Sequence, residues 1–199
     1  MEIISNLSFK VGEKEKTLIN GKNGSGKTTI IKLLLRLYDE YQGKILLNDR
    51  DSKEYSLKDI RNEIAVVFQE SFLFDGSLQE NIICGSKANK DEVLEALKIL
   101  GLIDNMNRIE ENELLNFPII EGGKNLSGGQ KRMISIARAL VKKPSVLVLD
   151  EPTTYLDIES KEQVITFIKS IEDIIVIIIT HDNELKNELR NIVNYEVNL

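Results

Sequence analysis

Gly21–Thr28 reads Gly-Lys-Asn-Gly-Ser-Gly-Lys-Thr and fits G-x-x-x-x-G-K-[ST]. In such a loop the glycines let backbone N–H groups turn inward, and a following helix N-terminus adds partial positive charge, so polyphosphate is attracted. In this motif Lys27 would reach the β- and γ-phosphates and the Thr28 hydroxyl would ligate Mg²⁺. A second group, Asp150-Glu151, directly follows the apolar run Ser145–Leu149. Two carboxylates at the C-terminal end of a central strand lie where open α/β sheets bind ligands. Beside a phosphate loop, the first can hold Mg²⁺ and the second can orient or activate water. The third group is Leu126-Ser127-Gly128-Gly129-Gln130. Ser127 and Gln130 fit a capping box, and the two glycines leave the helix start bare enough for a phosphate to approach its N–H groups and the Ser127 hydroxyl.

These residues need a strand, a turn or a helix start to hold them, and the local patterns supply each. Lys16–Asn20 is apolar enough for a buried strand before the loop, and Ile30, Leu33, Leu34 and Leu37 recur at helical spacing over Thr28–Leu37. Ile3–Val11 mixes apolar and polar positions in strand fashion; Lys44–Leu47 reads as a strand between turns at Gln42-Gly43 and Asn48–Ser52. Capping boxes at Ser56 and Ser77 predict helices, and Ile64–Phe68 predicts a buried strand ending at Gln69. Asp91–Leu100 carries Val93, Leu94, Leu97 and Leu100 on one face, while Asn105–Asn125 has no readable pattern. Beyond it, Ser145–Leu149 and Ile174–Ile179 predict strands buried on both faces, Ile158–Ser170 and Asp182–Asn191 predict helices, and a short strand closes the chain. The fold class expected is α/β: a P-loop NTPase core with a mostly parallel central sheet (residues 1–69 and 144–199) and an inserted α-helical subdomain (residues 70–143).

Composition narrows the partners. At 42% hydrophobic and 29% charged residues, the 199-residue chain is ordinary globular material. Its net charge of -6 gives no general attraction to nucleic acid. The longest apolar run, Ile174–Ile179, is too short to cross a bilayer, so a membrane link is expected through a partner. One cysteine, Cys84, and one histidine, His181, leave no disulfide and no Cys/His metal cluster, which suits a reducing, cytosolic setting. Cys84 reads as a small buried residue.

The sequence Leu126–Gln130, and the order of phosphate loop, Gln69, Leu126–Gln130, Asp150-Glu151, Asp157 and His181, resemble the nucleotide-binding domain of ATP-binding cassette (ABC) proteins from about Ile4 to Val197. Ser71–Ile82 (SFLFDGSLQENI) and Ser56–Arg61 (SLKDIR) are similar to exporters whose cassette is fused behind a transmembrane domain. The resemblance implies that Asn23, Gly24, Ser25, Gly26, Lys27, Thr28 and Thr29 hold ATP phosphates, and that Thr28, Gln69 and Asp150 hold Mg²⁺ directly or through water. It implies that Glu151 polarises the attacking water, that His181 contacts the γ-phosphate, and that Asp157 lies at a dimer interface. Two cassettes would dock head to tail, so that Ser127, Gly128, Gly129 and Gln130 of one face ATP on the other, at the cytoplasmic face of a membrane. The groove near Gln69 would receive the membrane domain.

The chain departs from the family pattern in four ways. It begins after the usual adenine-stacking aromatic and lacks closing helices, so it looks trimmed at both ends, and weak ATP binding with poor base discrimination is expected. Thr154-Tyr155 replaces a small pair, and Met133 stands where Arg is common, so a helix-surface ion pair is expected to be missing. The alternatives are a soluble ABC ATPase acting on nucleic acid or ribosomes, or a nucleotide-binding fragment without turnover.

Overall fold

The computed structural model describes residues 3–22, 24–102 and 110–199. Its frame is a five-stranded sheet made of β1 (Lys16–Asn20), β4 (Ile64–Val67), β7 (Val146–Asp150), β8 (Ile175–Thr180) and β9 (Tyr195–Asn198). The strand order is β4-β7-β8-β1-β9, and every neighbouring pair runs parallel. Parallel neighbours need crossovers, and crossover helices cover both sheet faces. The central strands are accordingly apolar up to their last residue: β7 reads Val-Leu-Val-Leu-Asp and β8 reads Ile-Val-Ile-Ile-Ile-Thr.

The period of two then divides their side chains between two cores. Val146, Val148, Ile177 and Ile179 face a core shared with α1 (Lys27–Leu34) and α2 (Leu57–Glu63) through Ile30, Ile31 and Ile60. Leu147, Leu149, Val176 and Ile178 face the other. That core is covered by α3 (Leu78–Ile83), α4 (Lys90–Ile99), α5 (Glu111–Leu115), α6 (Gly128–Leu140), α7 (Ile158–Ser170) and α8 (Asn183–Leu189). Helices α3, α4 and α6, which lie in residues 70–143, pack into the same cluster as α7, α8 and the sheet.

Two small antiparallel pairs lie outside this sheet. β2 (Leu46–Leu47) and β3 (Arg50–Asp51) form a hairpin across Asn48-Asp49, with φ of 52° and 60° as a type I′ turn requires. β5 (Gly76–Ser77) pairs with β6 (Pro118–Ile119).

Several expectations are corrected. Ile3–Val11 forms no strand: Asn6 has a φ of 54°, and Ile4, Leu7 and Phe9 pack on the α1-side core without a ladder partner. Apolar alternation reported burial there, not pairing. The helix expected to reach Leu37 ends at Leu34, because Arg36 turns left-handed (φ 49°) and sends its guanidinium to the carbonyls of Ser52 and Tyr55. The strand expected over Lys44–Leu47 is only two residues long, and β3 lies in the stretch read as a turn. Cys84 is exposed at the C-terminal cap of α3, not buried. Met133 is 1% exposed and belongs to the core, so that position carries no surface ion pair to lose. Part of the unreadable Asn105–Asn125 stretch lies outside the described residues; the rest contains α5 and β6.

Candidate functional site

Because all five strands run in one direction, the ends of β1, β4, β7 and β8 meet along one edge of the sheet. A cleft of about 590 Å³ opens there. Its lining includes Gly24, Gly26, Lys27, Thr28 and Thr29 after β1, Gln69 after β4, Asp150 and Glu151 at the end of β7, and His181 after β8. Residues far apart in sequence are thus brought together by topology alone. Asn23 lies outside the described residues.

The phosphate loop has the backbone its glycines allow. Gly24 (φ 83°) and Gly26 (φ 102°) are left-handed. A Cβ at Gly24 would meet nothing within 4 Å, so its glycine serves conformation, whereas one at Gly26 would lie 2.7 Å from Cγ1 of Ile4. Gly26 caps α1, and among the described residues no side chain bonds the first-turn N–H groups. The Ser25 hydroxyl is buried with no hydrogen-bond partner among the described residues. Uncapped N–H groups and an orphaned hydroxyl around an open loop fit an anionic group. Lys27, 8% exposed, donates to the carbonyls of Gly21 (2.6 Å) and Lys22 (3.3 Å) and lies 3.6 Å from Glu151 Oε1.

Glu151 is buried, with φ of 45°, and its N–H donates to Ile179 O at 2.8 Å. Oε1 meets His181 Nδ1 at 2.5 Å, and Oε2 accepts from Thr180 Oγ1 at 2.9 Å. Asp150 is also buried, and its carboxyl is pushed up to about 6 by burial and by the Glu151 charge beside it, against the opposing pull of Lys27 and Arg132. A carboxylate this short of positive charge suits a cation. Among the described residues no three His, Cys, Asp or Glu side chains cluster as metal ligands. The donors present here are the Asp150 carboxylate, the Thr28 hydroxyl and the Gln69 amide, an all-oxygen set that fits Mg²⁺ completed by phosphate and water.

Ser127, Gly128, Gly129, Gln130 and Asp157 do not line this cleft. Ser127 Oγ accepts from Gln130 N (3.1 Å) and Gln130 Oε1 accepts from Ser127 N (2.9 Å), so the capping box is formed. Asp157 caps α7, accepting from Ser160 N at 2.8 Å. Gly129 is buried against α7; a Cβ there would sit 2.5 Å from Ser160 Cβ. That glycine lets two helices touch, a role its sequence context did not reveal.

The cleft also holds residues that the sequence did not assign to it. Ile3, Thr154 and Tyr155 line the cleft. Arg132, 3% exposed, donates to the carbonyls of Phe68 (2.6 Å), Gln69 (2.5 Å) and Glu151 (3.5 Å), tying α6 to the turns after β4 and β7. Burial depresses its pKa, partly offset by Asp150. A basic residue on a helix gives no sign in sequence that it points inward.

The family model described as ABC transporter matches residues 4–154. A putative export ATP-binding/permease protein of Rickettsia bellii is 40% identical over 182 residues, covering 91% of this chain and 31% of that protein. ABC transporter B family member 15 of Arabidopsis thaliana is 42% identical over 165 residues, 81% of this chain and 13% of its own. A bacterial Atm1-family ABC exporter solved with ATP bound superposes with a TM-score of 0.83 at 32% identity, covering 94% of this chain and 33% of that one. The chain therefore spans a third or less of the length of these proteins. With its parallel sheet and loop-to-carboxylate cleft, this chain belongs to the ABC transporter family and has the fold of an exporter-type nucleotide-binding domain.

Proposed function

We propose that the chain binds and hydrolyses ATP to power an exporter, through head-to-tail pairing of two such domains beneath a transmembrane partner at the cytoplasmic face of a membrane. The observation that carries this is the convergence of Lys27, Asp150, Glu151 and His181 on one cleft, with the Glu151 carboxylate buried and held from two sides. The relatives' names as export ATP-binding/permease proteins support the transport role. No helix among the described residues is long and apolar enough to cross a membrane, so the membrane link is assigned to a partner or fused domain.

The loop N–H groups and Lys27 bind the phosphates, with Lys27 exchanging its carbonyl partners Gly21 and Lys22 for phosphate oxygens. Thr28, Gln69 and Asp150 would hold Mg²⁺, which when bound neutralises charge on the phosphates. Glu151 orients and accepts a proton from the attacking water, and His181, half exposed and bonded to Glu151, faces the γ-phosphate. Ser127–Gln130 lie outside their own chain's cleft, which supports their acting on nucleotide held by a second copy. Residues 70–143 would carry them there as a subdomain.

Glu151→Gln tests the assignment. Steady-state ATP turnover should fall by about a hundredfold or more while nucleotide affinity stays within about threefold, and a nucleotide-dependent dimer should accumulate on size exclusion. Turnover equal to that of the parent chain would remove Glu151 from the mechanism.

A further inference from the structure

We infer that Thr180 is a positioning residue for hydrolysis: its hydroxyl fixes one oxygen of the Glu151 carboxylate inward, leaving the other to face Lys27 and His181. This rests on the hydrolytic role proposed for Glu151. Thr180 ends β8, a strand otherwise made only of Ile and Val, and its side chain is fully buried. Valine would fill the same space without a polar atom to satisfy, so a hydroxyl here needs a reason.

The reason is visible in its two bonds. Thr180 Oγ1 accepts from Asp182 N at 3.0 Å, so its own proton is free to go to Glu151 Oε2 at 2.9 Å. The other donors near Oε2, His181 N and Thr154 Oγ1, both lie at 3.5 Å, so the short contact is Thr180's. The Glu151 backbone is tied to the same strand by its N–H to Ile179 O. With main chain and one oxygen both held by β8, rotation of the carboxylate is restricted and Oε1 is the oxygen turned to Lys27 Nζ and His181 Nδ1. A general base acts efficiently only when its accepting atom is held in reach of the proton it removes, so losing this tether lowers turnover rather than binding.

The test compares Thr180→Val, which keeps the shape and removes the hydroxyl, with Thr180→Ser, which keeps the hydroxyl. Three readouts apply: steady-state ATP turnover, affinity for a fluorescent ATP analogue, and the ring nitrogen signals of His181 in the nucleotide-free chain, assignable because it is the only histidine. Thr180→Val should lower kcat by about ten- to a hundredfold, leave nucleotide affinity within about threefold, and move the His181 ring signals as Glu151 turns. Thr180→Ser should restore kcat and ring signals to near those of the parent. Parental kcat or unmoved ring signals in Thr180→Val overturn the assignment, as does a Thr180→Ser variant as impaired as Thr180→Val. Failure of the underlying reading is recognised separately, by Glu151→Gln retaining turnover.

Discussion

Helices α1 and α6 both begin in glycine-rich sequence, yet their first turns are finished differently. At α1 the cap is Gly26, left-handed, and among the described residues no side chain bonds the first N–H groups. At α6 the cap is Ser127, which exchanges bonds with Gln130, and neither Gly128 nor Gly129 has a positive φ. An α-helix leaves its first N–H groups without internal partners. At α1 that need is open to an anion; at α6 it is partly met within the chain. The glycines differ in the same way: Gly24 and Gly26 shape the backbone, whereas Gly129 makes room for Ser160. The α1 turn thus leaves its N–H groups open within one chain, whereas the α6 turn has its first N–H groups partly satisfied by its own capping box.

The largest expected difference between the two turns is in nucleotide affinity. Lys27→Ala should weaken binding of a fluorescent ATP analogue by about a hundredfold or more, because it removes the ammonium proposed to meet the phosphates. Ser127→Ala in the isolated chain should change it by less than about twofold. Equal losses would mean that the α6 turn already contributes within one chain.

The carboxylates near the two turns should also respond to pH with opposite sign. The Asp150 pKa is raised to about 6, so the nucleotide-free fold holds a proton that the unfolded chain releases near 3.8. Stability from this group is fullest below the lower value and declines as pH rises through 6, by up to about 3 kcal/mol. Asp157 is held below its ordinary value by the Ser160 N–H and hydroxyl, so its contribution is present above 3.8 and is lost as pH falls through its lowered pKa. Denaturant unfolding between pH 4 and 8 checks the first: the decline should be absent in Asp150→Asn. A decline of the same size in that variant would assign it elsewhere.

The smallest effect separates neighbouring glycines of α6. Gly129→Ala should cost about 1–3 kcal/mol through overlap with Ser160. Gly128→Ala meets only ordinary contact, 3.7 Å from Leu156 Cδ2, and should stay within about 1 kcal/mol of the parent. Urea midpoints measure both, and similar losses would show that the first turn needs glycine for its backbone after all.

Much of the frame was legible in the sequence. The caps at Ser56 and Ser77 and the helix Ile158–Ser170 fall where local chemistry put them, and the apolar runs became β1, β7 and β8 within a residue or so. The parallel sheet followed from their alternation with helices. What failed were inferences needing a distant partner. Ile3–Val11 had the right alternation but no neighbouring strand, Met133 lay in the core and not on the helix surface, and Cys84 faced outward.

The sequence by itself determined the phosphate loop, the capped helix starts and the two carboxylates after an apolar strand. Each is a backbone or side-chain requirement met within a few residues, so each is written locally. Only the tertiary structure decided that Thr180 reaches Glu151, that Arg132 turns inward to the carbonyls of Phe68 and Gln69, and that Gly129 meets Ser160. Those contacts depend on which strands lie side by side and how closely α6 and α7 pack, and no local pattern carries that information.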